Sequence, residues 1–528
     1  MLTRRATTSL LASMATVPVW AAGSATGVAF YNAVGPTLTQ WQVDIGAAGL
    51  TRQASVTLPG LVQYAWRNPV KPVLYVASSN FVPMGDPGGK HHLTAFHIDP
   101  ASGALSPFGA PVAIRARPIN ISVDAKGEWL LTAYNVPSTM SVHPLGKDGA
   151  IGDEVKQAAS IDGGVYAHQV RVLPSNKALV LVTRGNNATP TKSEDPGALK
   201  VKALKNGQLS DIASIAPGSG YGFGPRHLDL HPSKPWMYVS IERQNQLQMY
   251  RLRGDGIDPA PAFVLTTLSE PGNLRPEQMV GPIHVHPNGR FVYLGNRASG
   301  MIEAQGKKVA AGGENSVAVF SIDAASGEPR MMQTIDTRGY HPRTFSIDPG
   351  GKMLVVANLM AMPVRDGDAV RIQPATLSAY RIGDDGKLTF VRSYDIETNG
   401  MTQWWSGFIQ TWTRVGRAPV AGSADNTSRC DRPVSRAAGR RRGVGNDRRD
   451  GDAAAGNRMA IVRENPRRTG RVRSPREGHS GWYGTAHGVA RHPVRRPASW
   501  DRSAPETGFR RTRYRRSRTA STGPSAEA

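Results

Sequence analysis

GPRHLDLHPSKPWMYVSIE, from Gly224 to Glu242, is two short apolar strands around a proline turn. Alternation in the first strand and a continuous apolar run in the second mark a half-buried strand paired with a fully buried one. The outline recurs. INISVDAKGEWLLTAYN from Ile119, VRVLPSNKALVLVT from Val170, IHVHPNGRFVYLGN from Ile283 and TFSIDPGGKMLVVAN from Thr344 repeat it, and YAWRNPVKPVLYVAS from Tyr64 completes about six copies. A second hairpin lies between them, with an Asp-, Asn- or Gly-rich turn. It runs LTQWQVDIGAAGLT from Leu38, LTAFHIDPASGALS from Leu93, MSVHPLGKDGAIGD from Met140 and LKVKALKNGQLSD from Leu199. LQMYRLRGDGID from Leu247, VAVFSIDAASGEP from Val317 and LSAYRIGDDGKLTF from Leu377 bring that set to about seven.

Four strands per repeat of roughly 50 to 60 residues predict an all-β, seven-bladed β-propeller. Six blades are expected complete. The seventh has only outer strands at the N-terminal end, from Gly27 through the Leu38 hairpin, and a ring left open would expose raw sheet edges. TQWWSGFI, Thr402 to Ile409, is therefore expected to supply the missing inner strand, giving a folded domain over 25–409.

The flanks differ from this body. Arg4 and Arg5 precede a short apolar run, Ala6 to Val19, and small-residue cleavage sites, so residues 1–24 read as an export signal. A periplasmic or secreted location follows if the signal is used, and a cytoplasmic one if it is not. The run is too short to span a bilayer comfortably, and no membrane association is expected after cleavage. After Ile409, 27 arginines and ten acids account for +17 of the chain's net +24, and Lys387 is the last lysine. Residues 410–528 should be a disordered tail. Arginine without lysine is also what a GC-rich gene read out of frame encodes. Because the charge lies there, it gives no reason to expect nucleic acid on the folded domain. The single cysteine, Cys430, is in the tail, so the body excludes disulfides, thiolate metal sites and a cysteine nucleophile.

Register locates the chemistry. Six residues before the turn prolines Pro174, Pro232, Pro287 and Pro349 stand His168, Arg226, Gly281 and Arg343; ten after them stand Arg184, Glu242, Arg297 and Leu359. Being equidistant from the turn, the two sets are expected to face each other and to gather at one rim of the channel. An excess of arginine with one imidazole and one carboxylate suits a small anionic ligand, because guanidinium forks grip carboxylate or phosphate at two points. His168 and Glu242 could move protons. The plainer alternatives are a cross-strand ion pair for Arg226 and Glu242, and a structural hydrogen bond for His168. His284 and His286 share a strand face as a possible metal pair, but His286 holds the same pre-proline place as His231 and Asp348, which points to turn chemistry. No metal or other cofactor is expected. There is no phosphate-cradling glycine loop, serine elbow or HExxH.

YAHQV from Tyr166, RGN at Arg184, GPRHLDLHP, SIE at Glu242, HVHPNGRFVYLGNR from His284 and HPRTFSIDP from His341 together resemble the seven-bladed lactonase family. This family includes the propeller type of 6-phosphogluconolactonase and the fungal carboxy-cis,cis-muconate cyclase. The resemblance spans about Gly27 to Ile409. It implies a metal-free active site at one channel mouth, with His168, Arg226 and Glu242 at the places of the cyclase's catalytic histidine, arginine and glutamate. Arg297 matches a further substrate-binding arginine, and Arg184, His227 and Arg343 are expected to bind substrate beside it. The implied activity is hydrolysis of a sugar-acid lactone. The alternatives are lactonising isomerisation of a carboxymuconate-type dicarboxylate, or a non-catalytic exported binding propeller. A monomer is the default expectation. Insertions at Asn186 to Lys200 and Met301 to Gly313 should reshape the mouth, and the export signal is foreign to a pathway whose substrate is made in the cytosol.

Overall fold

Second strands such as Ala178–Thr183, Trp236–Ile241 and Met353–Asn358 are buried along their whole length. A strand lying inside a blade that is itself packed between two others has no solvent face, and this is why these runs read apolar without alternation. A computed structural model describes residues 27–81, 88–304 and 306–411. The predicted export signal and almost all of the predicted tail lie outside the described residues.

Seven antiparallel sheets form the ring. We number the blades from the inner strands Leu61–Arg67, Pro118–Val123, Ala167–Val172, Pro225–Leu230, Gln278–Val285, Pro342–Ile347 and Gln403–Gln410. Blade 7 joins the two ends of the domain. Gln403–Gln410 pairs antiparallel with Val28–Val34, setting Phe408 opposite Phe30 and Ile409 opposite Ala29. Blade 2 departs from the expected four strands. Ser138–Pro144 is its third and last, and the GKDGAIGD segment makes only an isolated Leu145–Ile151 bridge. Hairpins Met301–Ala304/Lys307–Ala310 and Met362–Asp366/Ala369–Gln373 rise from blades 5 and 6, and the second of these was not foreseen from sequence.

Seven separate hydrophobic clusters hold the ring, one at each junction. Leu199, Val201, Leu228 and Val239 join blades 3 and 4, while Tyr31, Leu74, Val76 and Trp405 join blades 7 and 1. Two polar clasps repeat between neighbours. Buried second-strand tyrosines donate to a turn carbonyl of the next blade: Tyr75 to Gly149 at 2.7 Å, Tyr238 to Gly327 and Tyr293 to Gly386 at 2.8 Å. On the inner turns, His231 Nε2 donates to Gly289 O and His286 Nε2 to Gly351 O, each at 2.9 Å. Their Nδ1 atoms accept backbone N–H groups of their own turns, Lys234 for His231 and Asn288 for His286. His286 is therefore a turn residue and inter-blade clasp.

Gly289 and Gly351 must be glycine for two reasons. Each has positive φ, 73° and 69°, and an added Cβ would lie 2.5 and 2.3 Å from the clasping imidazole. Gly289→Ala should lower unfolding stability by about 2–4 kcal/mol. Urea unfolding checks this; an unchanged midpoint would show that the clasp is loose.

Candidate functional site at the channel mouth

Every inner strand carries a β-bulge. The ladder skips one residue at Gln63, Ile119, His168, Arg226 and Arg343, two at Gly281-Pro282, and Trp404 in the closing strand. A bulged residue is unpaired and its side chain is re-aimed. Repeated around the ring, the bulge turns one side chain per blade onto a common central cavity of about 220 Å³, whose wall includes His168, Arg226, Pro282, Arg343 and Trp404. The bulge also corrects the expected register. Arg226 does not sit directly opposite Glu242: Pro225 pairs with Ile241, and Glu242 N donates to Gly224 O.

The structure nevertheless brings the expected residues together, in two layers. His168, Arg226, His227 and Arg343 line the cavity. Glu242, Arg184 and Arg297 form a second layer behind Arg226, joined to it through the Glu242 carboxylate. The Glu242 side chain is only 2% exposed, and three guanidiniums hold it. Arg184 Nη1 donates to Oε2 at 2.9 Å, Arg297 Nη2 donates to Oε1, and Arg226 Nε lies 2.9 Å from Oε1. Burial alone would raise the Glu242 carboxyl, but Arg184, Arg297 and Arg226 outweigh it and keep the group well below the usual carboxylate range. Burial, and then Arg297, push Arg226 down to about 9, which leaves it charged at neutral pH.

His168 has the opposite character. Burial first, then Arg226, Arg184, Arg343 and Arg297, hold its imidazole well below 6.5, so it is neutral at neutral pH. His227 meets it edge-on with ring centroids 5.0 Å apart, and its Nδ1 accepts from Arg226 Nη1 at 3.2 Å. The arrangement is a neutral base beside fixed positive charge, on the wall of a small cavity. It can take a proton from water and stabilise an oxyanion.

Several residues of this mouth were missed from sequence. Tyr166, His341 and Arg117 hold one repeat place, two residues ahead of the bulge, and tabulating that place would have found them. Tyr166 and His341 are held at φ of 57° and 55°, a backbone region that side chains rarely adopt and that collects at functional sites. The Arg184 guanidinium covers the Tyr166 ring at 4.2 Å, and Arg297 Nη1 lies 3.1 Å from His341 Nε2. Trp404, in a strand recognised only for closing the ring, had no such signal. The Asn186 to Lys200 insertion is tied to the residue after Glu242 through Arg243, which donates to Asn187 Oδ1 at 2.8 Å and pairs with Glu194 at 3.1 Å. His284 lines the cavity 3.8 Å from Asp229 Oδ2, away from the role of His286. Among the described residues no group of three His, Cys, Asp or Glu side chains is placed to hold a metal ion, and no helix is long and apolar enough to cross a membrane.

Comparison with known proteins agrees with the seven-bladed fold. Residues 22–365 match the family described as lactonase, 7-bladed beta-propeller. The chain is 27% identical over 279 residues to a 6-phosphogluconolactonase of Bacillus subtilis, covering 51% of this chain and 71% of that one. It is 26% identical over 349 residues to the 6-phosphogluconolactonase of Pectobacterium carotovorum, covering 65% and 91%. Among solved structures, the periplasmic gluconolactonase of Pseudomonas aeruginosa superposes with a TM-score of 0.52 at 19% identity, covering 72% of this chain and 99% of that one. A protein from Lactobacillus plantarum superposes with the same TM-score at 20% identity. These structures share the fold.

Proposed function

Because the chain belongs to the seven-bladed β-propeller lactonase family, we propose that it opens a small sugar-acid lactone by hydrolysis, with His168 and Arg226 as its catalytic residues. The observation that carries this reading is the neutral imidazole of His168 beside the charged guanidinium of Arg226 on one cavity wall. The neutral imidazole takes a proton from water as the water oxygen attacks the lactone carbonyl. Arg226 faces the oxyanion that forms. When the tetrahedral intermediate collapses, the ester C–O bond breaks and the imidazolium returns its proton to the departing ring oxygen, leaving a hydroxy acid. One imidazole thus serves both transfers, and Glu242 is left to position Arg226 and balance its charge. His227, bonded to Arg226, orients the same guanidinium and contacts substrate. The basic run and cleavage sites at the N-terminus support action in the periplasm.

The test is turnover by the purified full-length protein on 6-phosphogluconolactone, gluconolactone and a carboxymuconate, with products identified and spontaneous opening subtracted. Hydroxy acid formed from a lactone is the expected result. Lactone formed from the muconate would move the site to the isomerase reading. No turnover by a folded protein would leave only a binding propeller.

A further inference from the structure

Glu242 neutralises one side of this mouth but not the other. Its two oxygens are taken by Arg184, Arg226 and Arg297, and Asp229, the acid that does line the cavity, is paired with Arg171 at 3.0 Å. Arg343 and Arg117 have no acidic partner among the described residues. Instead they are stacked on rings. The Arg343 guanidinium lies 3.6 Å over Trp404, and Arg117 lies 3.4 Å over Phe81 and 5.6 Å from Trp404. Arg117 Nε donates to Gln63 Oε1 at 2.9 Å, and Gln63, Trp404 and Arg343 all line the cavity. Stacking uses the faces of a guanidinium and leaves its N–H edges for a planar or tetrahedral anion. Two donor atoms here, Arg343 Nε and Trp404 Nε1, are buried with no partner, as is Nδ1 of His168 across the cavity. Buried donors beside an unpaired cation are what a site for an anion looks like before the anion arrives.

Resting on the lactonase reading of the same cavity, we infer that Arg343, braced by Trp404 and Arg117, is a second anion subsite that takes a carboxylate or phosphoryl group carried by the substrate away from its ester carbonyl. The division of labour follows from the charges. Arg226, already tied to Glu242, is left for the reacting carbonyl, and the stacked pair selects lactones that bear a further negative charge over neutral ones.

The experiment is titration of the full-length protein with inorganic phosphate and, separately, with glucarate, read by calorimetry or by thermal shift. One of the two should bind, and Arg343→Gln should weaken it about tenfold or more. Arg343→Lys, which keeps charge but loses the fork, should fall between, and Arg117→Gln should lose about threefold through its longer reach. Preference for phosphate assigns a phosphoryl lactone, and preference for glucarate a carboxylate one. In kinetics, Arg343→Gln should raise KM for the matching charged lactone about tenfold more than for neutral gluconolactone. The inference is overturned if neither anion binds the wild type, if folded Arg343 variants bind as tightly as wild type, or if charged and neutral lactones suffer equally. Anion binding that depends on Arg343, without turnover of any lactone, would instead remove the hydrolase reading and keep the subsite.

Discussion

Replacing His168 with alanine is expected to slow lactone opening by about a hundredfold or more in kcat, with KM nearly unchanged. The pH profile gives the sharper test. A base works in its neutral form, and burial together with four surrounding arginines holds His168 well below 6.5 in the folded protein. Wild-type activity should therefore stay level down through pH 6.5 and fall only on further acidification, as the imidazole takes its proton. Stability has the same sign. The unfolded chain binds that proton near 6.5 and the native one does not, so acidification below this value favours unfolding. His227 and His341, both held well below 6.5 by burial and nearby arginines, add to the effect. An acid limb centred above 6.5, or an unchanged rate in His168→Ala, would end the case for this imidazole as the base.

Glu242→Gln should do its damage to the fold as well as to the rate. The carboxylate is the shared counter-ion of Arg184, Arg226 and Arg297, and removing its charge leaves three guanidiniums facing one another with little solvent. Breaking a buried pair by removing one partner costs about 3–5 kcal/mol. Denaturant unfolding should show a loss of that order, together with a large fall in kcat from a displaced Arg226. The contribution is also pH-dependent. Because the folded carboxyl lies below the 4.5 of the free group, its stabilisation is complete above that value and is lost as pH falls through the folded one. The residual activity of the variant should keep the wild-type pH profile, since the proposed base is His168. A profile whose acid limb disappears would make Glu242 the base. A variant as stable as wild type would mean that the arginines find other partners.

Much of this was legible from residues alone because a propeller is periodic. A repeat of apolar strands and turn prolines sets the blade, the count of seven follows, and the mismatch between the two ends demands a closing strand, which Gln403–Gln410 is. Equal places in equal repeats must lie at equal heights in a ring, so His168, Arg226 and Arg343 could be grouped without coordinates. The fourth strand of blade 2 was misjudged because GKDGAIGD has the composition of a turn and strand but makes a single bridge.

Sequence by itself determined the architecture and its closure, and it grouped the repeat places to which the proposed chemistry is assigned, since these depend on periodicity and on the polarity of single residues. Only tertiary structure supports the proposed division of roles between His168 and Glu242. Whether a carboxylate is free to act as a base depends on how many cations reach it, and its three partners come from blades 3, 4 and 5. The bulge, the Trp404 stack and the missing counter-ion at Arg343 belong to the same class. Each is a relation between strands, from the two arms of one hairpin to the distant Arg117 and Trp404, set by backbone pairing and side-chain direction, and no local pattern encodes it.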